Sequence, residues 1–271
     1  MKKEFFENLE KILYAKNLDD KFRDFDDFYE NFKTQSFVFN HEQEAIFKEN
    51  FYPSKKILSP LKIRRIKNAN SNESLAKMIH AIAHIEFSAI NLALDASYRF
   101  KNLPQKFYED WLEVADEEIK HFKLLQRALR ELGFKYGDFA VHDNLENALK
   151  STKNSLAFRM GVVHRGLEAK GLDANPFVLS KLQNTNHHIK SLLEEILSTI
   201  LNDEIKHVKK GDFWWSFAKK DEDDFLHLCK KFIQFKLAGK VLNKEARLKA
   251  GFSEKELEEL ENFYSRDKTK I

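Results

Sequence analysis

Asp116-Glu117-Glu118-Ile119-Lys120-His121 and Asn202-Asp203-Glu204-Ile205-Lys206-His207 are two copies of one pattern. Glu-Ile-Lys-His is identical in both, and an acid precedes each motif Glu. A duplicated helix pair is the simplest origin. The first copy interrupts an apolar stripe of Trp111, Val114, Ala115, Phe122, Leu125, Leu129 and Leu132. The second interrupts Leu193, Ile196, Leu197, Ile200, Leu201, Val208 and Trp215 in the same way. Spacing of i, i+3 sets Glu and His on one helix face. An ionised carboxylate on a core-facing stripe costs several kcal/mol unless something pairs with it. Two such placements in one chain ask for cations.

The partner helices supply the rest. Glu86 sits among Ile79, Ile82, Ala83, Ile90, Leu94 and Ser97, and Glu168 beside Leu156, Met160, Val163 and Leu167. From Glu86 to Glu118 is 32 residues, and from Glu168 to Glu204 is 36. Each gap equals one long helix plus a turn, so in an antiparallel pair each lone Glu lies level with its neighbour's Glu-x-x-His. The expectation is an all-α four-helix bundle with additional N-terminal and C-terminal helices. Glu86, Glu118, His121, Glu168, Glu204 and His207 converge in it as the ligands of a dinuclear carboxylate centre. Carboxylate and imidazole donors suit Fe, Mn or Zn, and four carboxylates match the charge of two divalent ions. Two Fe ions, or a Mn/Fe pair, are expected per chain, with Glu118 and Glu204 bridging.

Further residues are expected around this centre. Glu117 and Asp203 are placed to accept the ring N–H of the opposite pair's His; a solvated acid is the alternative for each. His164, four residues before Glu168, reads as an extra ligand or as a hydrogen-bonded core histidine. His80 and His84 read as packing or hydrogen-bonding residues, and Tyr98 and Trp111 as core.

The helical pattern extends nearly throughout. Expected helices span about 74–100, 104–132, 145–172 and 189–217, with Pro176 marking a break and a fifth helix near 221–237. Ser253 and Glu256 form a capping box that opens a last short helix. Before the bundle, apolar Phe5, Leu9, Ile12 and Leu13 recur at helical spacing. A stretch with Lys55, Lys56, Lys62, Arg64, Arg65, Lys67, Pro53 and Pro60 then reads as an arm. The expected division is an N-terminal extension over 1–72, the bundle over 73–220 and C-terminal helices over 221–271. With only 8 Gly and 4 Pro in 271 residues the chain lacks the many Gly- and Pro-rich turns that all-β folds use. One cysteine, Cys229, rules out an intrachain disulfide framework, a rubredoxin-type iron site and a four-cysteine zinc site. No apolar run approaches the roughly 18–20 residues of a membrane span. MKKEFFENLEK carries acids where a signal peptide is apolar, so a cytoplasmic protein is expected. A net charge of +3 demands no nucleic-acid partner.

The stretches HAIAHIEFSAINLALDASYRF (80–100), FYEDWLEVADEEIKHFKLL (107–125), LGFKYGDFAVHD (132–143), LEAKGLD (167–173), DEIKHV (203–208) and EARLKAGFS (245–253) resemble the bacterial family called domain of unknown function 455. More broadly the chain resembles the ferritin-like superfamily. Together these stretches cover roughly residues 60–255. The resemblance implies a ferritin-like core and the six ligands above, and brings no established reaction. By ligand set alone there is a more distant likeness to bacterioferritin, rubrerythrin, ribonucleotide-reductase small subunits, multicomponent monooxygenases and the tRNA-modifying hydroxylase.

Several functions follow as expectations. The first is an O2-activating di-iron or Mn/Fe oxidase or hydroxylase that takes a small-molecule substrate and an electron donor. The second is iron handling (a ferroxidase) or peroxide detoxification. The third is a tRNA-modifying hydroxylase, drawing on the basic 55–67 stretch, for which a solvated loop is the simpler account. The fourth is a structural bundle that merely retains metal. The Phe-rich N-terminus is expected to cover part of the bundle, and the protein to be a monomer or small oligomer.

Overall fold

The computed structural model describes residues 4–54, 56–59, 62–63, 70–221 and 223–266. Lys55, Pro60, Arg64, Arg65 and Lys67 of the basic stretch lie outside the described residues; Lys56 and Lys62 are exposed. The fold is all-α. The chain divides into two compact units, one of 1–63, 79–130 and 134–146, the other of 64–78, 131–133 and 147–271.

In the first unit, α1 (Phe5–Leu13) and α2 (Leu18–Thr34) are separated because Asn17 caps the second. Its side chain accepts the N–H groups of Asp19 and Asp20. Phe5, Phe6, Leu9, Ile12 and Leu13 of α1 and Phe22, Phe25 and Phe28 of α2 are buried. Phe5 stacks on Phe39 at 4.4 Å and meets Tyr108 at 5.3 Å. The Phe-rich start of the chain is thus packed onto the long helices of this unit. A two-residue strand β1 (Ile57–Leu58) precedes α3 (Asn72–Arg99), and α4 (Gln105–Glu131) follows. Beyond α4, β2 (Val141–His142) pairs in parallel with β1. The α3–α4 turn is held by Tyr108, whose O–H donates to the Phe100 carbonyl at 3.1 Å. Gly133, at φ +83°, ends α4, and the Phe134 N–H returns to the Leu129 carbonyl at 3.0 Å. This is the Schellman closure that glycine permits.

The second unit departs from the expected third helix. The run 145–172 is broken into α5 (Asn144–Thr152) and a new start, α6 (Leu156–Phe158). Ser155 caps that start by accepting the Phe158 N–H, and Arg159 donates to the Leu149 carbonyl at the end of α5. From α6 the helix passes without interruption through a π-helix, Arg159–Leu167, into α7 (Glu168–Gln183). Pro176 therefore lies inside a helix and does not end it. Proline removes the N–H that would reach the residue 172 carbonyl; here Asn243 Nδ2 donates to Leu172 O at 3.3 Å instead.

α8 (Lys190–Ala218) packs along the π-helix and α7. The expected fifth helix is shorter: α9 (Phe225–Lys231), then a 3-10 turn, Ile233–Phe235, ended by Lys236 at φ +52°. After α10 (Lys244–Lys249), α11 (Glu254–Arg266) opens with the expected capping box. The Ser253 N–H donates to Glu256 Oε2, and the Glu256 N–H to Ser253 Oγ. Asp173 joins these C-terminal elements to α7. Its carboxylate is buried, pairs with Arg247 at 2.7 Å and accepts the N–H groups of Gly239 and Asn243. No helix among the described residues is long and apolar enough to cross a membrane.

Candidate metal centre

Glu86 lies thirteen residues before the end of α3, and Glu118 thirteen after the start of α4. Antiparallel helices joined by a tight turn therefore bring them level. His121 Nδ1 is 3.3 Å from Glu86 Oε2 and 3.4 Å from Glu118 Oε2. A ligand atom from each of the three lies within 4.8 Å of the others. Exposures are 3% for Glu86, 0% for Glu118 and 1% for His121. Burial by itself would hold the His121 ring neutral; Glu118 and Glu86 outweigh it and push its pKa up to about 12. Without a bound cation the imidazole proton balances part of the carboxylate charge, at a place that could hold a metal ion. The hydrophobic wall is explicit: Phe87 and Phe122, each next in sequence to a candidate ligand, meet at 5.4 Å, and Phe22 of α2 packs on Phe122 at 5.6 Å.

The second unit carries the repeated half. His207 is fully buried on α8, with Nδ1 3.9 Å from Glu204 Oε2. Glu168 opens α7 at the mouth of the π-helix, and its Oε1 is 2.9 Å from His164 Nδ1. His164 is thus a buried, hydrogen-bonded histidine beside Glu168. The π-helix and α8 approach closely here: a Cβ on Gly211 would lie 2.6 Å from the His164 carbonyl carbon. Nothing in the helical periodicity of the sequence shows the π-helix. The signal it leaves is the pair Gly161 and Gly166, five residues apart within it, where neighbours crowd the backbone.

Residues around these groups divide by what they touch. Asp203 is partly exposed and accepts from Lys206 Nζ at 2.7 Å along its own helix. Glu117 is half-buried on α4, and its charge helps raise the pKa of Tyr29 of α2, after burial and the acids Asp116 and Glu113. Tyr98 and Trp111 are fully buried core residues. His80 and His84 hold the loop after α4. The Gly137 N–H donates to His80 Nε2 at 2.9 Å. His84 is 2.7 Å from the His142 carbonyl through Nε2 and 2.9 Å from the Tyr136 hydroxyl through Nδ1. Burial lowers the pKa of both imidazoles to about 4. Two pairs of quoted motifs therefore bind each other. HAIAH (80–84) grips KYGDFAVH (135–142), and Asp173 of LEAKGLD grips Arg247 of EARLKAG.

Residues 14–258 match the family described as "Protein of unknown function (DUF455)". The chain belongs to this family. The DUF455 match begins well before residue 60, so it takes in α2 and the arm, which the motif stretches did not reach. All six expected ligands lie inside it. A Haemophilus influenzae (strain ATCC 51907 / DSM 11121 / KW20 / Rd) protein bearing the description "Uncharacterized protein" is 36% identical, over 94% of this chain and 93% of its own length. No solved structure matches.

Proposed function

We propose that this DUF455 protein is a dinuclear metal carboxylate protein that activates O2, an oxidase or hydroxylase acting on a small molecule. The observation that carries the reading is the buried group of Glu86, Glu118 and His121, in a chain whose second half repeats the same ligand pattern. Buried carboxylates with an imidazole and no thiolate form a donor set suited to iron or manganese. In this reading the two helix pairs form a ferritin-like bundle over 73–220. Glu86, Glu118 and His121 of the first helix pair, together with Glu168, Glu204 and His207 of the second, would hold the ions. His164 orients Glu168 through their hydrogen bond. Iron, or a Mn/Fe pair, would supply the redox chemistry toward O2 when bound. The chain's own contribution is to fix the ligands on rigid helices and to keep water out with Phe22, Phe87 and Phe122.

Metal analysis tests the site. Protein purified from iron- or manganese-supplemented cells should hold up to about two ions per chain, the number a two-metal site takes. His121→Ala and His207→Ala should each lose most of it, and full occupancy in both variants overturns the assignment. Reconstitution with Fe(II) without air, followed by O2 and Mössbauer spectroscopy, tests the reaction. A cage-sized particle that mineralises iron would replace the oxidase reading with storage.

A further inference from the structure

Phe213 and Phe217, one turn apart on α8, are 58% and 54% exposed. Both rings stand edge-on against Trp214, at 5.0 and 5.3 Å, and Trp214 is itself buried. The pair is therefore a braced apolar ridge on a helix surface. Asn202, Lys206, Lys209 and Ser216 share its face at helical spacing and are exposed. Asp212, the one acid of α8 after Lys206, is turned away and pairs with the buried Arg165 at 2.6 Å. Charge is divided across the ridge. Lys206, Lys209 and Lys210 precede it, and the run 219–224 that follows has four acids against two lysines. Of those two, Lys219 reaches back over the Trp215 ring at 5.6 Å, and Lys220 is the exception to the division. Lys209 and Asp221 are both exposed, and neither makes an ion pair among the described residues.

A surface that is apolar at its centre, basic at one end and acidic at the other is its own complement under a two-fold rotation. From this pattern we infer that α8 carries a self-association surface. Two copies of the chain pair antiparallel through Phe213 and Phe217, and Lys209 of each meets Asp221 of the other. The spacing allows it: about the midpoint of the two phenylalanines, Lys209 lies six residues to one side and Asp221 six to the other. A lipid surface fits less well, because anionic headgroups would repel the acidic run next to Phe217. Two half-exposed phenylalanines offer roughly 200 Å², against about 800 Å² per partner in a standard interface. The ion pairs therefore set the register, and the dimer is reversible and concentration-dependent. The inference uses neither the candidate ligands nor the proposed chemistry.

Sedimentation equilibrium of the full chain tests it. Wild type is expected to pass from one chain mass to two as its concentration rises through the micromolar range. The double variant Phe213→Ser, Phe217→Ser, verified as folded by circular dichroism, should stay a single chain. Lys209→Glu and Asp221→Lys should each raise the dissociation constant several-fold, since each sets like charges together at both ends. Combined in one chain they should restore it, because the reversed pair is complementary again. These charge variants change exposed residues only, so they test the pairing even where the double-serine chain unfolds. A wild type that stays single at high micromolar concentration overturns the proposal, as does a dimer indifferent to the phenylalanine changes. Failure of the combined charge variant to recover overturns the antiparallel pairing. A single chain that instead sediments with phosphatidylglycerol vesicles, and loses that binding with the two serines, assigns the face to lipid and overturns the dimer.

Discussion

Lys21 of α2 carries its ammonium into the interior, where it donates to the Leu13 carbonyl and to Asn91 Oδ1, each at 2.6 Å. Burial, only partly opposed by Glu146, lowers its pKa from 10.5 to about 7. Between those values the unfolded chain holds a proton that the folded chain has released, so this lysine's contribution makes stability rise with pH from about 7 to about 10.5. Urea midpoints followed across that range should show the rise in wild type and a flatter profile in Lys21→Met; parallel profiles would refute it. Asp173 is the opposite case, a buried charge with a full complement of donors. Removing one member of such a pair costs about 3–5 kcal/mol, so Asp173→Ala should lower denaturation midpoints strongly, with a loss under about 1 kcal/mol counting against it. These residues mark what the sequence could and could not disclose. Glu118 and His121 were readable because they break an apolar stripe at helical spacing. Asp173 and Arg247, 74 residues apart, look like ordinary surface charges until the fold joins them. His84 likewise shows only that it is polar on a buried face.

The long helices were legible from their periodicity, to within about two residues at each end of α3, α4 and α8. Where the reading failed, a contact from elsewhere in the chain had replaced a local rule. Pro176 looks like a terminator, yet its helix continues because Asn243, beyond the 3-10 turn, serves the Leu172 carbonyl. The π-helix leaves no mark on the helical periodicity, and what accompanies it is contact with distant residues: Gly161 sits under Leu228 and Trp215, and Gly166 under Leu237. The same crowding makes a prediction for α8. A methyl at position 211 would lie 2.6 Å from the His164 backbone. Gly211→Ala should therefore push the π-helix away and cost about 1–3 kcal/mol, the usual range for overpacking. Calorimetry would read the loss. The His164–Glu168 bond should loosen with it, weakening metal retention more than Gly171→Ala on α7, where an added Cβ meets nothing within 4 Å. Equal stability and retention would show that the approach is tolerant.

For the molecule as a whole, the N-terminal helices belong to the same compact unit as α3 and α4, and Phe22 touches the residue after His121. Deleting residues 1–34 should expose the faces of Tyr108 and Phe122. The truncated chain should then aggregate or bind a hydrophobic dye, while the full chain sediments as a monomer or small oligomer. A soluble, dye-silent truncation would remove this role for the Phe-rich segment. The lone Cys229 has a consequence of its own. It is fully buried in α9, and burial raises its pKa to about 11, so almost no thiolate forms near neutrality. Oxidants and disulfide exchange pass it by while the second unit stays closed. The sulfhydryl is therefore a built-in stopwatch. Labelling by a thiol reagent should proceed at the pace of transient opening and become immediate in denaturant, timing the breathing of α9 against the rest of its unit with no probe added.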